Sequence, residues 1–560
     1  MRFFRGWKVL GRGLALLLAL AATAGADPSQ EFREILKQYD QFRERSKPGV
    51  EALGKDLSSI PLSVRRNGLQ GSLERRIDAL DPAGLGDQDW IDWHLLKSML
   101  ARSRSRERQR LSALDEPLLP VREVTRMLQK RDPGELESLY GALRFVPEWI
   151  RLSRSRSLQE VQKSQVKSAL ARAKGLRQIL EKEGGAACKV LGYLGTSPQR
   201  IQDEALGSLS EYEGYLNNVL LPRAISDQLG IGREQFVYRL EKIYLVDHSL
   251  AEILDSARKV MRETEREMER LVRVIDPHAT GWRSVSELLK EDHPDRDGIV
   301  PYLRQVTFDA RDFVQRAGFI TLPDYSMEME VVGKDLKGNY PFGYYRRPRS
   351  GSRVGAFVVA KVGEKLSPEN QERLRGFNRP WMQVVAVHEG YPGHHLQLAI
   401  ARKKQTPLRS RYYTPFFVEG WGLYSEELMY RHGFLKGPRV RFSQLRMRLW
   451  RCARVLIDIG IHAGTMTQEE GVRFLVERAG LSEVNAKKEV SRYLRSPNQP
   501  MSYLVGYLDI LRIRQALEDR ARKAGQTFDE RAFHDALLSY GSVPLRLLRE
   551  VLLERSVERR

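Results

Sequence analysis

Residue types that can do chemistry are concentrated in one short stretch, HEGYPGHH, at residues 388–395. It holds three of the ten histidines of the chain, and Glu389 directly follows the first of them. In helical zinc peptidases, two histidines four residues apart bind the metal, and the glutamate beside the first acts as general base. Here the fourth residue after His388 is Pro392. A second metal-binding histidine must therefore be His394 or His395.

An undistorted helix presents neither of these two histidines well. At about 100° per residue, His394 lies roughly 240° around the helix from His388, whereas His395 returns to within about 20° but lies roughly 10.5 Å along the axis. Pro392 lacks an amide donor and Gly393 tolerates unusual backbone angles, so a helix bulge could absorb two extra residues and return His394 to the His388 face. A helix end with exposed histidines is the alternative to a metal site.

A third metal ligand is available in FFVEGWGLYSEELM, at residues 416–429. Glu419 is followed there by Gly420 and Gly422, and a glycine inside a helix costs about 1 kcal/mol relative to alanine. That cost is typical of a helix that packs closely against another group, as a metal-binding helix would. The alternative is a surface glutamate on an amphipathic helix. Three protein ligands would leave the fourth position of a zinc ion open for water.

The two motifs together carry a family resemblance. HEGYPGHHLQ followed by VEGWGLYSEE resembles the bacterial family catalogued as domain of unknown function 885, and the similarity continues in ARVLIDIGIHAG, RYLRSPNQPMSYLVG and FHDALLSYGSVPLRLL. One departure is PNQP at residues 497–500, where the family often has Pro-Gly-Gln-Ala. The family in turn resembles the thimet-oligopeptidase-like and carboxypeptidase Taq-like zinc peptidases.

The resemblance implies a set of metal ligands. The thimet-like peptidases take their third zinc ligand from a glutamate on a later helix, in a Val-Glu context. Val418 precedes Glu419, and the 25 positions between His394 and Glu419 match the spacing in that pattern. The resemblance therefore favours His394 over His395. It implies one zinc ion per chain, bound by His388, His394 and Glu419, with Glu389 as general base.

Hydrogen-bond donors for the reaction are also expected by resemblance. Tyrosines near the C-terminus stabilise the developing oxyanion in the thimet-like relatives, so Tyr503 is the first candidate and Tyr507 the second. His534 is a further candidate donor. His395 is expected beside the metal, and Glu426, seven positions after Glu419, could hold a ligand histidine.

Two further groups of residues are expected near the site. Arg454, Asp458 and His462 recur at i, i+4 and i+8, so they share one helix face, where they form either a buried layer that orients the ligands or an intrahelical ion-pair ladder. The strand GAFVVAKV is expected, by resemblance, to be an edge strand to which an extended peptide substrate can add. The residues expected to contact the peptide are Gly355, Ala356, Phe357 and Val358.

The elements that must position these residues are mostly helices. Apolar residues recur at three- and four-residue spacing up to about residue 315, short strands follow near residue 319, and helices resume near residue 379. The sequence predicts a mainly α fold, a large multi-helix array around a cleft with a small β-sheet near the metal-binding helix. It predicts an N-terminal helical region at 27–315 and a catalytic region at 316–560.

The first 26 residues have the pattern of a signal peptide. MRFFRGWKVLGRG is positively charged, LALLLALAATA is apolar, and AGA fits a cleavage site. We expect an exported protein, periplasmic or secreted, with no stable membrane span after cleavage; an uncleaved anchor is the alternative. Export argues against nucleic acid as a partner despite the net charge of +21. Cys188 and Cys452 are expected to be buried free thiols.

These observations favour an exported zinc peptidase that acts on short peptides, with Glu389 activating water. A second hypothesis keeps the metal but changes the substrate to an amide or ester of the cell envelope. A third is a catalytically inactive helical binding protein. The presence of Glu389 argues against the third, because metal binding alone does not require that base.

Overall fold

The computed structural model describes residues 27–46, 62–108, 114, 116–118, 121–122, 124–125, 128, 143–155, 161–191, 198–224, 230–332, 343–348, 352–363, 367–403 and 406–555. The predicted signal peptide lies outside these residues. The chain forms two compact units, Met1–Gln228 and Leu229–Arg560. This boundary lies earlier than the predicted one at 315/316, because helical periodicity does not reveal which partner a helix packs against.

The first unit is helical in its described part. Its α-helices are α1 Pro28–Ser46, α2 Leu62–Ala79, α3 Asp87–Arg108, α4 Val146–Ser155, α5 Lys163–Leu191 and α6 Pro198–Tyr215. Helix α6 continues through a π-helical turn, Leu216–Leu220, to Leu221–Arg223. Short 3₁₀ turns lie at Pro82–Gly84, Glu116–Leu118 and Leu143–Phe145. Leu180, Leu209 and Tyr212 are among the residues of the buried core where α5 packs on α6.

The second unit contains the motifs and the sheet. Its helices are α7 Arg233–Tyr238 with a π-helical extension Arg239–Ile243, α8 Leu250–Ile275, α9 Trp282–Leu289, α10 Ile299–Ala317, α11 Pro368–Gly376, α12 Arg379–Glu389, α13 His394–Lys403, α14 Pro415–Arg431, α15 Pro438–His462, α16 Gln468–Ala479, α17 Glu483–Arg495, α18 Ser502–Lys523, α19 Glu530–Ser539 and α20 Leu545–Arg549 with a π-helical extension Glu550–Arg555. A 3₁₀ turn lies at Arg409–Arg411. The mainly α fold class is confirmed.

Helix α15 is the central element of the second unit. Most of its residues are buried, including charged ones such as Arg451 and Asp458. Helix α8 packs along it; α8 begins with a capping box between Ser249 and Glu252 and turns one apolar stripe inward. Helix α12 packs against α10, α14 and α15, and α14 packs along α18. The motif-bearing helices therefore belong to one core.

A three-stranded sheet adjoins α10 and contains β1 Ser326–Val332, β2 Gly343–Arg346 and β3 Val354–Ala360. The order is β1-β3-β2, with β1 parallel and β2 antiparallel to β3. The prediction that Gly355, Ala356, Phe357 and Val358 form an edge strand is therefore wrong. Their strand is central, and its nearly continuous apolar run is typical of a strand that is buried on both faces. In the described sheet, β2 is the edge strand on the other side of β3 from β1.

Two remaining expectations concern the membrane and the cysteines. Within the described ranges, every helix is either too short or too polar to cross a bilayer. Cys188 and Cys452 are both buried thiols, as expected, and the Cys188 thiol donates a hydrogen bond to Gln202 Oε1 (3.2 Å). Burial raises the pKa of Cys452 to about 12, so this thiol stays protonated and cannot act as a nucleophile near neutral pH.

Candidate metal centre

Two histidines and one glutamate converge at the predicted position. One ligand atom each of His388, His394 and Glu419 lies within 4.8 Å of the others. Glu419 Oε2 is 3.3 Å from His394 Nε2 and 3.8 Å from His388 Nε2. Among the described residues, this is the one cluster of His, Cys, Asp or Glu with such a geometry. These three side chains, the triad, come from α12, α13 and α14.

The backbone solves the spacing problem differently from the predicted bulge. Helix α12 ends at Glu389, four non-helical residues follow, and α13 begins at His394. Gly390 N–H donates to the Ala386 carbonyl (2.9 Å), and Gly393 N–H donates to the Val387 carbonyl (3.1 Å). The Tyr391–Pro392 peptide is cis. The bulged-helix prediction is therefore wrong: the chain leaves one helix and starts another, and the break carries His394 back to His388.

Glycines allow close packing on the histidine side. A Cβ on Gly393 would collide with the His388 carbonyl, so the break requires glycine there. A Cβ on Gly422 would lie 2.5 Å from Cε1 of the His388 ring, which shows that α14 lies directly against this imidazole. Gly420 and Gly506 face each other where α14 crosses α18. The close packing predicted from the two glycines of α14 is found.

Glu426 forms a hydrogen bond to the imidazole of His388. The Nδ1–H of His388 donates to Glu426 Oε1 at 2.8 Å, and the Glu426 side chain is fully buried. This bond leaves Nε2 of His388 facing Glu419. Burial lowers the pKa of His388, but hydrogen bonds to Glu419 and Glu426 outweigh it and raise the pKa to about 9. The pKa of Glu419 is raised by burial but held well below its usual range overall by the two histidines.

Glu389 is the last residue of α12, and its carboxylate meets strand β2 of the sheet. Its Oε2 accepts a hydrogen bond from the backbone N–H of Tyr345 in β2, at 2.9 Å. The edge strand β2, and not the predicted strand β3, therefore reaches the candidate base. The side chain of Tyr345 continues toward α13, where its hydroxyl is 3.1 Å from Nδ1 of His395.

His395 is not part of the cluster, although it is adjacent to His394. Its ring packs edge-on against Tyr345 and Tyr391 and is fully buried. Burial lowers the pKa of His395 to about 4, so the imidazole is neutral. The structure therefore brings His394, and not His395, to Glu419.

Tyr503 is the tyrosine at the site. Its ring stacks on that of His388 with centroids 6.4 Å apart and planes at 18°. The Arg454 guanidinium lies 4.8 Å from the Tyr503 ring centroid. Burial and the charge of Glu419 raise the pKa of Tyr503 to about 12, so its hydroxyl is protonated and able to donate. Tyr507 lies one turn further along α18, with its ring 5.7 Å from the Arg448 guanidinium.

His534 is not available as a donor to substrate, contrary to prediction. Its Nδ1–H donates to the Phe319 carbonyl (2.7 Å), and its Nε2 accepts from the Tyr424 hydroxyl (2.8 Å). Both ring nitrogens are thus engaged, and the side chain is fully buried. Burial lowers the pKa of His534 to about 4. This histidine connects α19 to α14 and to the segment that follows α10; the motif alone could not show that its partners are internal.

The three residues predicted to share one face of α15, Arg454, Asp458 and His462, have different partners. Arg454 contacts Tyr503 and pairs with Glu489 (3.1 Å). Asp458 accepts from the Met501 N–H (3.3 Å) just before α18, and so holds the segment that precedes Tyr503. His462 lies 3.6 Å from Asp458, donates to the Tyr493 carbonyl and accepts from a backbone N–H. None of the three is hydrogen-bonded to His388, His394 or Glu419 in the described structure.

Two residues near the site were missed by sequence reasoning. Tyr345 was overlooked because GYYR is short and polar. Arg451 was overlooked because it lies among many arginines on α15; its side chain is buried, and its guanidinium is 5.5 Å from the Tyr503 ring centroid. The signal that could have found Arg451 is its spacing, since it lies one turn before Arg454 on the same helix.

Comparison with known proteins gives a family but no activity. A family model described as "Bacterial protein of unknown function (DUF885)" matches residues 33–552. No curated protein sequence matches the chain.

Solved structures share the fold. One is a candidate lipoprotein of unknown function from Shewanella oneidensis, with a TM-score of 0.78 and 18% identity over 95% of this chain and 100% of that one. Another is a candidate lipoprotein from Colwellia psychrerythraea, with a TM-score of 0.66 and 16% identity over the same shares. At these identities the likeness concerns the fold alone.

Proposed function

The chain belongs to the bacterial family of unknown function DUF885, and from the geometry of its buried triad we propose that it is a metal-dependent hydrolase, a zinc peptidase that cleaves short peptides. The observation that carries the proposal is the convergence of His388, His394 and Glu419 beside Glu389. Two imidazoles and one carboxylate are a donor set typical of catalytic zinc.

The surroundings of the triad fit such an ion. The bond from Nδ1 of His388 to Glu426 is the carboxylate–histidine arrangement that orients a metal-binding imidazole. Nδ1 of His394 is buried and has no hydrogen-bond partner among the described residues, while its Nε2 faces Glu419. Bound zinc would lower the pKa of a water molecule and polarise a substrate carbonyl. Similarity of the two motifs to the thimet-like peptidases supports the same assignment.

The residues of the chain then have distinct tasks. Glu389, held by the Tyr345 N–H, accepts a proton of the attacking water as the new C–O bond forms, and returns it to the leaving nitrogen, so that the C–N bond breaks when the carbonyl re-forms. Tyr503 donates a hydrogen bond to the carbonyl oxygen as negative charge develops there. Arg454 holds the Tyr503 ring in place. Tyr507, on the Arg448 side, has a packing role.

Export to the cell envelope is part of the proposal. It is supported by the signal-like residues 1–26 and by the description of two structural neighbours as candidate lipoproteins. A peptidase in that compartment would meet short peptides. Neither nucleic acid nor a stable membrane span enters the proposal.

The test combines metal analysis with peptide digestion. Purified protein should contain about one zinc per chain. The wild type should cleave members of a synthetic peptide library, and Glu389→Gln should keep the metal but not the activity. Protein that binds no zinc even after zinc is added would overturn the proposal. Zinc binding without cleavage of any peptide would redirect the search to amides and esters of the envelope.

A further inference from the structure

Arg451 is a buried cation for which the described part of the chain offers no carboxylate partner. The residue is 5% exposed. Among the described residues no carboxylate lies within ion-pair distance of it; its one hydrogen bond runs from Nη1 to the Met447 carbonyl (3.2 Å), and its Nε is buried without a partner. Buried charges in proteins are normally paired, because an isolated one is costly to desolvate. Arg454, one turn away, follows that rule through Glu489.

The position of Arg451 links it to the candidate metal centre. Its guanidinium is 5.5 Å from the Tyr503 ring centroid, and that ring is 6.4 Å from the His388 ring. Together, these two distances set an upper limit on the separation between the Arg451 guanidinium and the His388 ring of the triad. Each residue of an extended peptide spans roughly 3.3–3.6 Å. A group bound to Arg451 would therefore lie only about one to three residues from a carbonyl at the triad.

With a divalent cation at the triad, the charge of the site would favour an anion at Arg451. The carboxylates that act on Arg451 through their fields are Glu426 and Glu419, which both face His388. A divalent cation at the triad would offset these two negative charges. The positive charge of Arg451 would then be available to a substrate anion. Guanidinium groups bind carboxylates with two parallel hydrogen bonds, which also fixes the orientation of the bound group.

We propose that Arg451 binds the free α-carboxylate of the substrate, so that the chain acts close to the C-terminus of short peptides. This inference rests on the proposed function and names the substrate class of the same site. It makes Arg451 a specificity-determining residue: a peptide with a free carboxylate is a good substrate, and the same peptide with a C-terminal amide is a poor one.

The test compares peptide acids with peptide amides. One synthetic library is prepared with free and with amidated C-termini, and digestion is followed by mass spectrometry for the wild type, Arg451→Gln, Arg451→Lys and Arg446→Gln. Arg446 is the control, since it is a partly buried arginine of the same helix that is also bound to a backbone carbonyl, that of Gly480 (3.5 Å). Thermal unfolding of each variant reports whether it is folded.

The wild type should cleave acids on the order of 10- to 100-fold faster than amides, near the C-terminus, as expected for loss of a charged hydrogen bond. Arg451→Gln should abolish this ratio, Arg451→Lys should keep part of it, and Arg446→Gln should keep all of it. Equal cleavage of acids and amides by the wild type, or an unchanged ratio in folded Arg451→Gln, would overturn the proposal. A purely structural role of Arg451 would lower the unfolding temperature and leave the ratio intact.

A second readout does not depend on hydrolysis. Calorimetry measures binding of N-acetyl-trialanine and its amide to zinc-loaded Glu389→Gln, with and without Arg451→Gln. Tighter binding of the acid, lost with Arg451, supports the inference even if no library member is cut. Equal binding of acid and amide rejects it. Failure of the proposed function alone would instead show as no cleavage of either library by the wild type.

Discussion

Two sets of buried histidines differ in their partners and not in their burial. His388 meets two carboxylates, Glu419 and Glu426, and its pKa is raised to about 9. His534 and His395 meet hydroxyl or backbone groups, and burial lowers the pKa of each to about 4. Burial alone always disfavours the charged imidazole, and nearby carboxylates reverse that effect. A candidate metal site is therefore marked by convergent carboxylates, and a buried histidine by itself indicates nothing.

The most direct test of this comparison replaces each of the two adjacent histidines, His394 and His395, by alanine in turn. His394→Ala removes a ligand and should reduce zinc to well below one ion per chain, with loss of all hydrolysis. His395→Ala should keep about one zinc per chain, although the lost packing lowers its unfolding temperature. Elemental analysis after dialysis measures both. Zinc retained in His394→Ala and lost in His395→Ala would reverse the assignment.

The next largest effect separates metal binding from chemistry. Glu389→Gln keeps the shape of the side chain and can still accept the Tyr345 N–H, but it cannot take a proton from water. We expect a fall in kcat of about 10²- to 10⁴-fold with zinc content unchanged. Steady-state kinetics on the best library peptide, paired with elemental analysis, gives both quantities. Full activity in this variant would remove Glu389 as the base.

A smaller effect is expected for Glu426, which accepts a hydrogen bond from the candidate ligand His388. Glu426→Gln still accepts a hydrogen bond from His388 but loses the negative charge that strengthens the imidazole as a ligand. Zinc affinity should fall about 10- to 100-fold, measured by competition with a chelator. The matched control is Glu427→Gln: this neighbour pairs with Arg441 and Arg448 instead, so its replacement should reduce stability and not zinc affinity. Equal losses of affinity in both variants would contradict the assigned role of Glu426.

The smallest effect concerns His534, one of the buried histidines whose pKa is lowered, and it leaves activity at neutral pH unchanged. Unfolded His534 takes up a proton below its ordinary pKa of 6.5, whereas the folded residue does so only near pH 4. The free energy of unfolding should therefore fall as pH drops from 6.5 to 4, by up to about 3 kcal/mol for this residue.

His534→Gln checks this pH dependence. The amide can keep one of the two hydrogen bonds of the imidazole but does not titrate, so the variant should be less stable at pH 7 and lose less stability between pH 6.5 and 4. Denaturant unfolding of chelator-treated protein at several pH values measures the difference. An unchanged pH dependence would show that His534 does not contribute to it.

Local spacing made part of the site predictable. His388, Glu389, His394 and Glu419 lie in two short motifs, and metal-ligand chemistry needs those residue types. The glycines of α14 predicted close packing because glycine inside a helix is otherwise unfavourable. Glu426 followed from its place on the same helix face as Glu419.

Other expectations failed for physical reasons. The break at residues 390–393 could equally have been a bulge, since both geometries use proline and glycine. The apolar strand β3 was placed at the sheet edge, but a strand's pairing depends on neighbours that its own sequence does not show. The role of His534 depends on Phe319 and Tyr424, which lie 215 and 110 positions away.

The sequence by itself determined the helical class, the ligand types and the order in which they occur, because periodicity and short-range spacing are local properties. The family resemblance favoured His394 over His395, and in the tertiary structure it is His394 that meets Glu419. Only the tertiary structure decided which strand reaches Glu389 and which arginine beside Tyr503 lacks a carboxylate partner among the described residues. These outcomes depend on contacts between residues far apart in the chain, such as the 38 positions between His388 and Glu426. A side chain's partner fixes its charge and its availability, and partners are chosen by packing.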